Sequence, residues 1–317
     1  MSRILVTGGL GFIGGSLVEE LISRGDHVTV LDNRSSNSLA GAEDFSDPPL
    51  LKILTGDVRV REDVKSALEG VSVVVHLAAA VDVQKSVEDP KTTKEVNVEG
   101  TSVLLAASAK AGVRRFILAS SAAVYGARAP PLSEDVSPDP LSPYASSKVA
   151  AEALCDSYAA TGQLETVSLR IFNAYGPRAA RGSGVVALFL RAMATGEPLT
   201  ISGDGEQTRD FVHVNDVVKA VILSKDAALK GERAFNVATS VPTTINRLAE
   251  IIRAAAAREL RVVHGPARLH EVRHSCADIS RARRVLGFEP SVPLERGIGD
   301  ILGGSESRDG GKRMAEG

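Results

Sequence analysis

The chain of 317 residues carries 37 Lys and Arg against 39 Asp and Glu, a formal net charge of −2, with 44% hydrophobic and 24% charged residues. That length exceeds a comfortable single core and predicts one large or two intimately joined domains, while the composition excludes a largely disordered or fibrous chain. No global basic field exists to attract nucleic-acid phosphates or anionic lipid, so neither partner is expected.

Short β-branched runs at 3–6, 28–31, 51–54, 73–76, 115–119 and 166–171 read as strands, with segments of helical period between them. This alternation predicts an α/β fold of the Rossmann type. It is a doubly wound parallel sheet covered by helices on both faces, and ligands collect at the carboxyl ends of its strands. After Pro177 the pattern loosens, and Gly203-Asp204-Gly205, Pro242, Pro266, Pro290 and Pro293 punctuate a smaller mixed α/β region. The expected division is 1–170 for the nucleotide-binding domain, with a segment at about 208–236 returning to it, 171–302 for a substrate domain, and 303–317 for a disordered tail. Cys155 and Cys276 lack metal-ligand spacing, so neither a metal site nor a disulfide framework is expected, and a reducing cytoplasm fits. Ile4-Leu5-Val6 is broken by Thr7-Gly8-Gly9 too early for a signal peptide, and no apolar run approaches the roughly 18 residues that span a bilayer.

The first strand runs into Gly8-Gly9-Leu10-Gly11-Phe12-Ile13-Gly14, which opens a helix. Glycines at 8, 11 and 14 permit a tight turn, close approach of backbone to a pyrophosphate, and close helix–strand packing, while the helix N-terminus offers N–H donors. Asp32 ends the second strand, placed for a ribose diol, and its charge repels a 2′-phosphate. NAD is expected rather than NADP, although Arg34 stands two positions on and can meet that phosphate. Asp57-Val58 follows the third strand, where an adenine can be held.

Tyr144 and Lys148 stand four residues apart on a predicted helix and project from one face. A phenol titrating near 10 is a poor base at neutral pH, but a neighbouring ammonium and a cationic nicotinamide ring stabilise its phenolate. The strand at 115–119 ends in Ser120-Ser121, which places hydroxyls at the carboxyl edge, and Ser121 can orient a substrate hydroxyl. A silent NAD-binding sensor has no need of Ser121, Tyr144 and Lys148 together. His76 and His213 lie in strand-like runs and read as satisfied interior groups, Cys155 and Cys276 as packing, and His264, His270 and His274 lack metal spacing.

The glycine turn, Asp32, Asp57-Val58, His76-Leu77-Ala78-Ala79, Asn97-Val98-Glu99-Gly100-Thr101, the 120–126 segment and Tyr144-xxx-Lys148 resemble the extended short-chain dehydrogenase/reductase family. Leu169-Arg170-Ile171-Phe172-Asn173-Ala174-Tyr175-Gly176-Pro177-Arg178 and Arg209-Asp210-Phe211-Val212-His213-Val214-Asn215-Asp216 look like its nucleotide-sugar-modifying members, the UDP-glucose 4-epimerases in particular. The resemblance implies tightly bound NAD on Gly8, Gly11, Phe12, Ile13, Gly14, Asp32, Asn33, Asp57, Val58, Leu77, Ala78, Ala79 and Asn97, with Tyr144 and Lys148 at its nicotinamide end. It implies catalysis by Ser121, Tyr144 and Lys148, and a UDP-sugar held by Ser121, Asn173, Val185, Arg209, Arg268, Glu271 and Ser275. At 270 the family's glycine is replaced by histidine, which puts that local turn in question.

Dehydratases of the family carry an Asp-Glu pair after the catalytic hydroxyl, and uronate decarboxylases keep a glutamate nearby. This chain has Ala122-Ala123, so C4 epimerisation of a UDP-hexose is the expected reaction, and a small Ser275 leaves room for N-acetylated sugars. Epimerisation of UDP-glucuronate, or reduction of a nucleotide sugar on the same scaffold, stays as an alternative. By the same resemblance, helices at 92–111 and 144–160 pair across a homodimer.

Overall fold

The computed structural model describes residues 1–35, 49–179, 184–256, 259–267 and 272–309. Six parallel strands follow the chain as β1 (Arg3–Thr7), β2 (His27–Asp32), β3 (Leu51–Thr55), β4 (Val73–His76), β5 (Arg115–Ser121) and β6 (Glu165–Ile171). Their order in the sheet is β3-β2-β1-β4-β5-β6, so the winding reverses between β1 and β4, and the loops after those two strands face each other across the switch point. The central strands β1 and β4 are apolar on both faces because both faces are covered. In β1, Ile4 and Val6 join one hydrophobic cluster while Leu5 joins the other, and β4 divides Val73 and Val75 from Val74 in the same way.

Helix α1 (Phe12–Ser23) contributes Leu17, Val18 and Leu21 to the first face. The second face is covered by α2 (Arg61–Ala67) with Val64. Two short helices, α3 (Val83–Glu88) and α4 (Pro90–Lys94), then lead through a π-helical stretch (Glu95–Glu99) into α5 (Gly100–Lys110), which adds Leu104 and Leu105. Helix α6 (Pro143–Ala160) adds Ala151 and Cys155 to that face.

With only Phe172 between them, β6 runs on into β7 (Asn173–Tyr175). Helix α7 (Val185–Thr195) and β8 (Leu199–Ser202) precede β9 (Thr208–His213), which pairs in parallel with β7. The expected return to the large sheet begins later than 208, since β9 belongs to the small sheet. It starts with α8 (Val214–Asp226), which packs on α1, and ends in β10 (Ala234–Val237), a seventh parallel strand beside β6. Strand β11 (Pro242–Thr244) completes the three-stranded sheet, and β12 (Val262–Gly265) pairs with β8. Between them, α9 (Ile245–Ala255) buries Leu248 and Ile252 in a third cluster with Phe189 of α7.

Helix α10 (Ser280–Leu286) leads to α11 (Leu294–Asp309). The tail expected to fray from 303 is therefore helical as far as Asp309, and 310–317 lie outside the described residues. Ile298 is buried in the third cluster with Ile301 and Leu302 beside it, and a helix nucleated by such packing extends cheaply past its anchor.

One buried side chain joins strand β10 to the loops beyond β5. Asn236 accepts from the Tyr125 hydroxyl at 2.7 Å and donates to the carbonyls of Leu132 and Asp278 at 2.7 and 2.9 Å. Asn236→Ala removes three buried hydrogen bonds at about 1 kcal/mol each. Urea unfolding is expected to show a loss of roughly 3 kcal/mol with an unchanged m value.

Candidate active site

The glycine turn is shaped by contacts that leave no room for a side chain. Gly8 has φ +69°, and a Cβ there would lie 2.7 Å from the Ala78 nitrogen across the switch point. At Gly14 a Cβ would collide with the Gly8 carbonyl oxygen. Helix α1 begins after Gly11 with no side-chain cap and no acidic residue in its first turn, so the amide donors of Phe12, Ile13 and Gly14 open the helix with its positive end toward the turn. The side chains of Phe12 and Ile13 pack away into two different cores. A diphosphate suits this cradle on donor chemistry and on space.

The buried carboxylate of Asp32 accepts from the backbone of Leu10 at 3.1 Å and of Arg34 at 2.8 Å, locking the glycine turn to the end of β2. Asn33 donates to Asp57 at 3.1 Å, joining the ends of β2 and β3. Arg59, which the sequence reading overlooked, clasps Asp57 through Nε and Nη2 at 2.9 and 2.8 Å and holds that carboxyl well below the usual range. Val58 is buried against Gly100, and the amides of Leu77 and Ala78 bond to Thr7.

A chain of hydrogen bonds fixes the floor between these loops. Thr101 donates to the Asn97 carbonyl at 2.6 Å, so it receives the Nε2 proton of His76 at 2.9 Å, and His76 Nδ1 accepts from Thr7 at 2.7 Å. Burial, with the Lys148 charge adding to it, pushes His76 down to about 3 and keeps it neutral. It is the interior group the sequence suggested. Asn97 spends its amide on Ala80 N–H and carbonyl and on the Ser147 hydroxyl, so it positions the loop after β4 from behind. His213 is also interior and burial lowers its pKa, but only its Nδ1 is satisfied, by the Asn215 amide, while Nε2 has no protein partner among the described residues.

Ser142 caps α6 through the Ala145 amide, with Pro143 at the first position, and Ser86 accepts from the Tyr144 amide. This fixes where the helix starts, and with it which face Tyr144 and Lys148 share. That face meets β5. Lys148 donates to the Ala119 carbonyl at 2.8 Å and its Nζ lies 5.8 Å from the Tyr144 ring centre. Ser121, whose oxygen accepts from the Ala123 amide at 3.2 Å, stands beside the Tyr144 hydroxyl. Burial raises the phenol pKa and the neighbouring Ser121 hydroxyl opposes it, while burial lowers Lys148 to about 8. The three catalytic candidates are thus together, with the phenol awaiting added positive charge.

Strand pairing carries the site into the small sheet. Ser121 is in register with Ile171, and Asn173 follows two residues on at the start of β7. Asn173 pairs with Phe211 of β9, two residues past Arg209, and Ser275 bonds through its amide to the Thr208 carbonyl. Asp210, fully buried, accepts from Thr239, Ser240 and Ala277 and so clamps the Ser275 segment to β9. Val185 opens α7 at the edge of the third cluster. Arg268 and Glu271 lie outside the described residues, as does His270. Among the described residues no metal-binding group of His, Cys, Asp or Glu occurs, and no helix is long and apolar enough to cross a membrane.

Residues 4–238 match the NAD dependent epimerase/dehydratase family, and the chain belongs to that family. It is 39% identical over 302 residues to a UDP-glucose 4-epimerase of Mycolicibacterium smegmatis, covering 93% of this chain and 96% of the relative. It is 34% identical over 317 residues to a UDP-N-acetyl-alpha-D-glucosaminuronate decarboxylase of Bacillus cytotoxicus, covering 95% and 96%. The crystal structure of UDP-glucose 4-epimerase from Thermotoga maritima with UDP-glucose superposes with a TM-score of 0.89 at 35% identity, over 97% of this chain and 99% of that one. The protein is therefore a Rossmann-type enzyme of the NAD-dependent UDP-sugar epimerase and decarboxylase group.

Gly14→Ala isolates the cradle. In an ordinary helix this change stabilises by up to about 1 kcal/mol. Here the new methyl must displace the Gly8 carbonyl, so the purified variant is expected to stay helical by circular dichroism and to lose at least about 10-fold in NAD affinity by calorimetric titration, a cost of about 1.4 kcal/mol. Unchanged affinity would remove the close approach from the binding account.

Proposed function

We propose that the enzyme inverts C4 of a UDP-hexose, interconverting UDP-glucose and UDP-galactose through a 4-keto sugar. The observation that carries this reading is the turn after Ser121. Ala122 and Ala123 present only methyl groups there. The carboxylates in the adjoining network, Glu152 and Glu134, are already bonded to Ser120 and Arg170 and to the Asn236 amide. Elimination of water needs an acid and a base beside the one that oxidises the alcohol, and among the described residues none stands free for it.

Bound in the cradle, NAD supplies a two-electron acceptor that can return the same electrons. Tyr144, as phenolate, takes the proton of the sugar's 4-hydroxyl, with Ser121 donating to the shared oxygen. Lys148 keeps positive charge beside the phenolate. The keto sugar turns about its diphosphate linkage, offers its other face, and Tyr144 gives the proton back. That turn requires the binding energy to lie on the nucleotide, a role assigned by family resemblance to Asn173, Arg209, Arg268 and Glu271. The modest size of Ser275 favours acceptance of UDP-N-acetylglucosamine as well.

A uronic-acid nucleotide sugar is the rival substrate, supported by the decarboxylase relative. Against it, the Ala123 amide that could receive a sugar carboxylate is already spent on Ser121. The homodimer through α5 and α6 is proposed on family resemblance alone.

Tyr144→Phe is expected to fold, retain NAD and lose at least about 100-fold in turnover of UDP-glucose, the lower range for removing a general base. Near-normal turnover would take Tyr144 out of the mechanism. Incubation with UDP-glucose, UDP-N-acetylglucosamine and UDP-glucuronate, without added NAD, is expected to yield the C4 epimers of the first two by chromatography. Turnover of UDP-glucuronate alone would replace the hexose reading with the uronate one.

A further inference from the structure

Helix α6 meets β5 along a seam of three rungs, and the mechanism uses only two. Tyr144, Lys148 and Glu152 stand at i, i+4 and i+8 on one helix face. They face three successive residues of β5: Tyr144 lies beside the Ser121 hydroxyl, Lys148 donates to the Ala119 carbonyl and Glu152 accepts from the Ser120 hydroxyl. Glu152 is 7% exposed, and its carboxylate also receives Nη2 of Arg170 at 2.8 Å and Nε at 3.0 Å. Arg170 is in strand register with Ser120, and its Nη1 extends the network to the Tyr125 hydroxyl at 3.0 Å.

We propose that Glu152 is a positioning residue of the catalytic site, whose carboxylate keeps the Lys148 ammonium charged and thereby keeps the Tyr144 phenol able to release its proton.

The charge balance of the seam supports this. Lys148 is 5% exposed and, among the described residues, hydrogen-bonds only a neutral carbonyl, so burial works against its charge and Glu152, one turn away, works for it. The other groups facing the set cannot substitute. His76 from β4 is neutral, and burial pushes the Cys155 thiol up, out of the ionising range. Tyr125 is pushed by burial up to about 12. Asp156 and Glu134 face the set more distantly, and burial raises the pKa of both carboxyls. Arg170 carries the opposite sign and offsets Glu152. Removing either member of this pair therefore moves Lys148, in opposite directions.

The inference rests on the reading of Tyr144 and Lys148 as the catalytic pair, so the decisive measurement does not depend on turnover. In the NAD-loaded enzyme labelled with 13C-lysine, the Lys148 signal, assigned by its absence from Lys148→Arg, is titrated by NMR. Glu152→Gln is expected to lower the Lys148 midpoint by about one pH unit or more, Arg170→Met to raise it, and Ser120→Ala, which removes a rung without charge, to leave it in place. A lower midpoint means the ammonium is lost earlier as pH rises, so the alkaline limb of the turnover profile on UDP-glucose should fall with it. Glu152→Gln or Arg170→Met, folded and with an unmoved midpoint, overturns the proposal. If one of the two does not fold, the sign of the other decides. A midpoint that moves as expected in a protein inactive on UDP-glucose leaves the role of Glu152 intact and removes the substrate assignment instead.

Discussion

A buried ammonium at the centre of a parallel α/β protein is the constraint around which this site is arranged. Burying a charge is costly unless hydrogen bonds and opposite charge surround it, and Lys148 receives both from residues already committed to secondary structure. Its hydrogen bond goes to a carbonyl at the end of β5, and the neighbouring carboxylate comes from the next turn of its own helix. The helix cannot slide or rotate on the strand without breaking that arrangement. This holds Tyr144 against Ser121, and Ser121 in turn is held by the backbone of the turn it caps.

The same economy governs the nucleotide side. Parallel strands bring every carboxyl end to one edge, and the reversal between β1 and β4 opens a crevice there. The crevice is kept narrow by Gly8 and Ala78, and its floor is tied by the Thr7, His76 and Thr101 hydrogen bonds. On the far side β6 needs only Phe172 to enter β7, so the small sheet follows the large one with no long loop between them. Asp210 then ties the loop after β10 to β9 through Thr239 and Ser240, and the Ser275 segment through the Ala277 amide. Cofactor edge and substrate sheet are thus joined through strands.

The sequence was most readable where one physical demand leaves one pattern. Strands packed in a covered sheet carry short runs of β-branched and apolar residues between turns, which is why the first six were legible to within a residue or two at each end. The glycine turn and the four-residue spacing of Tyr144 and Lys148 were legible because sterics and helix geometry fix them locally. What could not be read is set by distant partners. Glu152 looks like any polar residue on a helix until Arg170 and Ser120 are seen beside it, and the bonds of the Asn97 amide to Ala80 and Ser147 cannot be read from the sequence. The helical continuation past Gly303 was hidden for a similar reason, since glycine and serine suggest fraying while Ile298 is anchored from another element.

The choice among reactions on this scaffold turns on how many proton-transfer groups the pocket offers. Oxidation and reduction at one carbon need a single group that gives and takes the same proton, and a phenol tuned by a buried ammonium can do both. Elimination or uronate chemistry asks for a further acid, base or carboxylate receptor. Around Ser121 the nearest backbone donor and the network carboxylates are already satisfied within the protein. Releasing Glu152 for such duty would leave Arg170 buried without its partner and remove the counter-charge of Lys148, so the residue best placed to add a second function is the one the first function depends on.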